Sequence, residues 1–269
     1  IINIGSDNGI KEKMTVIADE GLVGYVVSTT NKTANLARNQ DPILKEIRNV
    51  SLEKKLDFVN AEITDDYIIP GMYGSVIDEL KSLAKMKEQD AFNSLYLVSQ
   101  PIKPDISLSD NMDKIIKKGN SKKLRVSFII DTNSSKEIKD YLVKNNLKAS
   151  ILTTKETYSK DSYFEQINND FNNYQDLDKL LKKNKINTNI CVLDNNKTNL
   201  KFCQKKKKYL VIPELVLDKT NIIEVKENLS SGSIIYIKDV TYLDCLVEYI
   251  KSKDLKIVPL SELISEKEN

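Results

Sequence analysis

Histidine and tryptophan are both absent from the 269 residues, and cysteine occurs only three times. Without histidine there is no Ser-His or Cys-His nucleophile, no imidazole to act as acid or base near neutral pH, and no imidazole ligand for zinc. Cys191, Cys203 and Cys245 are too few for a disulfide scaffold and form no Cys-x-x-Cys pair. Cys191 and Cys203 flank a plausible loop, and either bridge it or serve as small buried hydrophobes. No apolar run approaches the roughly 20 residues that span a bilayer. The opening IINIGSDNG shows no signal-peptide pattern, so membrane attachment is expected only through an anchor upstream of residue 1. Glycine is scarce, and no glycine-rich loop follows an apolar strand to cradle a phosphate. An excess of one charge is also lacking: 41 Lys and Arg face 39 Asp and Glu, a formal net charge of +2, which does not point to nucleic acid.

What is present is a 40% hydrophobic content, enough for a genuine core, and a clear change of style along the chain. Residues 1–40 hold short apolar alternations, TVIA and LVGYVVS, separated by Asp19, Glu20 and Gly21, which predict a β-hairpin. Residues 41–120 predict a small α+β leader. DPILKEIRNVSLEKK is helix-compatible, DFVNAEI extended, and Ile69, Pro70 and Gly71 a turn. Gly71 and Gly74 then set off a helix carrying Val76, Ile77, Leu80, Leu83 and Ala84 at helical spacing. PIKPDISLSDNMDKIIKKGNSKK reads as a connector. From residue 121 to 269, β-branched runs (LRVSFII, KASILTT, NTNICVL, KYLVI, SIIYI, KIVPL) alternate with charged helical stretches, the pattern of parallel strands joined by crossover helices.

Two resemblances attach to these patterns. VSFIIDTNSSKEIKDYLVKNNLKASILTT resembles the opening strand, helix and strand of NodB-type polysaccharide deacetylases. GSIIYIKDVTYLDCLVEYIKSKDLKIVPLSELI is similar to their closing segment, and the likeness covers roughly residues 55–269. It implies a (β/α) barrel that holds a divalent metal with one Asp and two His, and works with another Asp as base and another His as acid. Asp131 stands at the base position. The metal-ligand Asp that should follow is Thr132, the segment expected to supply paired His on a helix reads FEQINNDFNNYQD, and the Leu-x-His motif reads Tyr236, Ile237, Lys238. Base apart, every group of the set is missing, so the implied object is a degenerate NodB-like barrel with no metal and no cofactor. The first 36 residues resemble the β-domain of the rod-shape protein MreC, on Gly5, Ser6 and Gly9 and then Gly21 through Gly24. Both families belong to the bacterial cell envelope.

Several apolar runs end in an acidic residue: Asp131, Asp194, Glu214 and Asp239. Carboxyl ends of parallel strands share one rim, so these residues, with Lys238, are candidates for binding sugar hydroxyls, for a two-carboxylate hydrolase or for an oxygen-ligand cation site; equally, Asp favours strand-to-loop turns. Lys205 to Lys208 form a basic run that meets anionic polymers or simply solvates a turn. Tyr158, Tyr163, Phe164, Phe171 and Tyr174 either stack on sugar rings or fill the core of a degenerate helix. Three functions follow as expectations: a noncatalytic extracytoplasmic protein binding cell-wall glycan or envelope proteins, a glycan hydrolase using the acidic rim, and an MreC-like cell-shape scaffold.

Overall fold

The alternating apolar segments near the N-terminus form three strands in the computed structural model, where two were expected. β1 (Thr15–Ala18), β2 (Gly21–Thr29) and β3 (Ala34–Arg38) make an antiparallel sheet in that order. At five residues, β3 is too short for its alternation to stand out in the sequence. The structure describes residues 1–269 except 19–20, 39–40, 88, 90, 132–135, 161, 195–196 and 268–269. Asp19 and Glu20, expected in the hairpin turn, and Thr132, at the metal-ligand position, therefore lie outside the described residues.

Helix α1 (Pro42–Lys54) starts where Asp41 accepts hydrogen bonds from the N–H groups of Ile43 and Leu44, with Pro42 at the first helical position. Burial opposes ionisation of Asp41, yet the Lys87 ammonium at 2.7 Å and those two amides outweigh it and hold the carboxyl below its ordinary range. β4 (Glu62–Ile63), β5 (Tyr67–Ile69) and β6 (Gly74–Ile77) precede helix α2 (Glu79–Met86) and β7 (Ser99–Ile102). Here the expected helix begins late, because Val76 and Ile77 belong to a strand. The backbone of Gly74 lies so close to residues 56–58 that a Cβ would meet the Leu56 carbonyl oxygen at 2.5 Å. Leu56 and Ser75 bridge there, which keeps the segment extended. The helix waits for Asp78, whose carboxylate accepts from the Lys81 N–H at 3.1 Å.

The described chain divides into two compact units, Ile1–Phe58 with Tyr73–Lys103, and Val59–Met72 with Pro104–Asn269. These divisions do not follow the three expected segments: the leader is shared between the units. In the first unit, Val27, Ile43, Leu44, Ile47, Ile77, Leu83 and Met86 form the core.

In the second unit the expected connector hides a buried strand, β8 (Ile115–Ile116), which pairs with β5 and with one later strand. Its two apolar residues are too few to register against the surrounding Asp, Asn and Lys. β9 (Arg125–Asp131), α3 (Lys136–Lys144), β10 (Ser150–Thr153) and β11 (Glu165–Asn168) then alternate, followed by α4 (Tyr174–Lys183), β12 (Ile190–Val192), α5 (Leu200–Lys205) and β13 (Tyr209–Val211). The chain ends through β14 (Leu215–Leu217), α6 (Ile222–Asn228), β15 (Ile234–Ile237), α7 (Leu243–Ser252), β16 (Lys256–Ile257) and α8 (Leu260–Ile264). β11 corrects the reading of FEQINNDFNNYQD as one helix: its first half is strand, and helix starts only at Tyr174.

Two sheets result, ordered β11-β10-β9-β15-β14 with β16 also on β9, and β12-β13-β8-β5-β4. All of their pairs are parallel except β4 with β5. Side chains alternate along each strand. On β9, Val126, Phe128 and Ile130 face a layer with Ile138, Leu142, Leu246 and Ile250 from the helices. Ile129 faces the other way, into an interior shared with Ile116, Leu152, Val192, Val211 and Ile234. Both sheets supply that interior, as in a barrel of parallel strands wrapped by helices. Cys191 and Cys203 are joined by a disulfide between β12 and α5, which resolves the two alternatives left open by their spacing. No helix among the described residues is long and apolar enough to cross a membrane.

Candidate functional site

The pleat that buries Ile129 also determines where Asp131 points. Two residues further along β9, it shares the inner face and reaches the carboxyl-terminal mouth of the strands. Tyr236 is placed the same way on β15, two residues after the inward Ile234. Its hydroxyl donates to Asp131 Oδ2 at 3.1 Å. Burial, reinforced by the Asp131 charge and by that hydrogen bond, pushes the Tyr236 phenol up to about 12, so it remains a neutral donor at physiological pH.

Around this pair opens a cleft of about 460 Å³. One wall continues from Leu152 on β10, opposite Asp131, to Asn169 and Phe171 after β11. The opposite wall is the turn between β12 and α5, with Val192, Leu193, Asp194 and Asn199, and Pro213, Val216 and Lys238 complete the rim. Phe171 is braced from behind by the Tyr174 and Phe202 rings, with centroids 6.3 and 5.8 Å away. Asp194 accepts from the Thr198 hydroxyl at 2.7 Å and its N–H at 2.8 Å, and these bonds hold its carboxyl below the ordinary value of 3.8. The disulfide closes the same turn, since Cys191 precedes Val192 and Cys203 lies on α5.

The structure thus brings Asp131, Asp194 and Lys238 to one cleft. Glu214 and Asp239 are not among its lining residues. Glu214 precedes β14 and is exposed; Asp239 accepts from Thr241 and faces Lys219 at 3.8 Å. Of the lysine run, Lys208 is neither solvated nor on the surface. Its ammonium is buried, donates to the Thr188 carbonyl, and pairs with Asp178 at 3.1 Å. The aromatic cluster is not one helix either, because only Tyr174 of the five lies in α4. Asn169 and Asn199 also line the cleft, and nothing in the sequence pattern marks either of them. Tyr236 could have been recognised as inward from the alternation in SIIYI.

The donor set does not fit the divalent metal that a deacetylase site implies. Among the described residues no three His, Cys, Asp or Glu side chains converge as ligands. Lys238 brings a cation to the rim, and the Asp194 carboxylate is engaged by Thr198. What the cleft does offer is two carboxylates, two side-chain amides, a phenol donor and an aromatic ring over an apolar floor. Such a mixture suits a hydroxyl-bearing ligand.

Residues 1–65 match the model of the rod shape-determining protein MreC, barrel core. YlxY of Bacillus subtilis (strain 168), an uncharacterised protein, is 29% identical over 108 residues, or 40% of this chain. The match spans only 34% of YlxY, about a third of its length. Among solved structures, wild-type BA3943 from Bacillus anthracis, a CE4 family pseudoenzyme, superposes with a TM-score of 0.57 at 16% identity, over 86% of this chain and 97% of that one. A BA3943 mutant with restored enzymatic activity gives a TM-score of 0.58 at 16% identity, over 84% and 99%. This chain therefore has the NodB-like fold of the family 4 carbohydrate esterase pseudoenzymes, and opens with an MreC-like segment.

Proposed function

We propose that the protein is a noncatalytic, extracytoplasmic component of the cell envelope whose NodB-like cleft binds glycan, alone or together with an envelope protein partner, during wall assembly. The observation that carries this reading is the state of Asp131. It lies in an open cleft, at the position the resemblance implies for the base, but the neighbouring strand presents Tyr236 to it as a hydrogen-bond donor, and the rim carries Lys238 in the stretch that resembles the Leu-x-His motif. Deacetylation needs water activated against the amide and a proton for the leaving amine. Among the described residues no ligand set holds a metal to activate that water, and there is no histidine to supply that proton, whereas hydroxyl recognition needs only the carboxylates, amides and ring that remain. The Cys191–Cys203 disulfide favours an oxidising compartment, in keeping with a location outside the cytoplasm.

The test pairs two measurements on the purified protein. Incubated with zinc and either N-acetylated chitooligosaccharides or peptidoglycan fragments, it is expected to bind glycan and to release no acetate. Zinc-dependent acetate release that disappears in Asp131→Asn would refute the noncatalytic reading.

A further inference from the structure

We infer that the amino-terminal rim of the barrel, at the end opposite the cleft, carries a binding site for an anionic phosphodiester polymer. This site is separate from the glycan reading of the cleft and does not depend on it. β12 and β13 are parallel neighbours, so the loops that enter them lie side by side. The first follows α4 and spans residues 184–189; the second follows α5 and spans residues 206–208. Tyr209 donates its N–H to the Asn189 carbonyl at 2.7 Å, and the buried Lys208 ammonium joins Thr188 and Asp178. Loops and helix ends held together in this way bring Lys183, Lys185, Lys205, Lys206 and Lys207 into one patch. Lys206 is half-buried and the other four are exposed. Among the described residues none of the five has an acid as partner, and Asp178, the last acid of α4, is engaged by Lys182 and Lys208. The two helix ends contribute roughly half a negative charge each, which leaves most of the five ammonium charges unbalanced.

The backbone gives a second sign. Lys185 and Lys207 take φ of 59° and 51°, the left-handed region that closes a helix and that glycine occupies without strain. Both loops thus place a cation where a neutral residue would fit more easily. The surroundings favour a polymer strand over a bilayer. Among the described residues of 182–207 no large hydrophobic side chain is exposed, so nothing there inserts between lipids. Next to β13, strand β8 is entered past the exposed Asp113, and its neighbour β5 past the exposed Asp65 and Asp66. A flat anionic surface would meet those acids, whereas a single strand follows the lysines alone. Lysine is a point-charge partner for phosphate, and a flexible chain of phosphodiesters adapts its spacing to such points.

The experiment measures binding of the whole chain to poly(glycerol phosphate) by calorimetry at low salt, with phosphatidylglycerol vesicles and neutral dextran as the other arms. Saturable binding of poly(glycerol phosphate), falling steeply as salt is raised, is expected. The variant carrying Lys185→Gly and Lys207→Gly should bind about tenfold more weakly while its thermal midpoint does not fall, since glycine relieves the backbone at both positions. Should that variant lose stability, Lys183→Gln with Lys205→Gln, at exposed helix ends, must show the same loss of binding. No binding of poly(glycerol phosphate), equal binding of dextran, unchanged affinity in the lysine variants, or vesicles bound as tightly as the polymer overturns the inference. Each of these outcomes leaves the glycan reading standing, because that reading is tested on N-acetylated chitooligosaccharides, which carry no phosphate.

Discussion

The two walls of the cleft hold their carboxylates by different means. On the β9–β15 side, Asp131 and Tyr236 are directed by the pleat of paired parallel strands in which residues 126–130, Ile234, Ile235 and Ile237 are buried. On the β12–α5 side, Asp194 sits beyond the end of a three-residue strand, and its position depends on a local turn through Thr198, on the Cys191–Cys203 disulfide, and on the buried Lys208 that ties β13 to Thr188 and Asp178. One wall is a by-product of sheet geometry; the other is assembled from specific side-chain bonds. Substitutions should therefore move the second wall far more readily than the first.

The largest effect is expected at Lys208. Lys208→Ala leaves Asp178 largely buried with only Lys182 as a counter-ion, and should lower stability by about 3 kcal/mol in urea unfolding. A loss under about 1 kcal/mol would mean that the pair is a passive contact and that the β12–α5 wall is braced by packing alone.

Reducing the disulfide, or replacing both cysteines with Ala, comes next, at about 2–3 kcal/mol for so short a loop. Its sharper readout is local. Amide resonances of residues 192–203 should shift while those of 127–131 and 234–237 stay in place. Equal movement on both sides would erase the contrast between the walls.

The smallest effect is at Thr198→Val, about 1 kcal/mol at neutral pH from the lost hydroxyl bond to Asp194. It also has a pH signature. The Thr198 bonds depress the folded-state pKa of Asp194, so their contribution is fully present above the ordinary carboxylate value of 3.8 and is lost as the pH falls through the lower folded value. Acid titrations of stability should show wild type and variant separated above pH 4 and converging below it. A gap that stays constant into acid would assign the bond no role in holding the carboxylate charged.

The same contrast governs how much was legible in the sequence. LRVSFII and SIIYI are long enough, and rich enough in β-branched residues, to declare both strand and inward face, so Asp131 was identified together with its position at the mouth. The β12–α5 wall was only half visible. Asp194 was noted as a strand-end acid, but Asn199 depends on how a turn closes, and that closure is set by a disulfide between residues 12 apart whose pairing the sequence left open. β8 failed for a different reason: a two-residue strand in a polar surround becomes a strand only through its partners β5 and β13. Glu214 and Asp239 looked equivalent to Asp131 as acids beside apolar runs, yet Glu214 falls before β14 and Asp239 turns back to Thr241. Sequence position alone does not show which face of the rim a carboxylate takes.

The measurement that bears most directly on the central claim is a single titration followed at once for heat and for acetate, with zinc present and glycan as ligand. A cleft that has kept recognition and lost chemistry gives saturable binding that is weakened by Asp131→Asn, and no acetate above the protein-free control. Acetate released in proportion to enzyme, dependent on zinc and abolished by the same substitution, would contradict it.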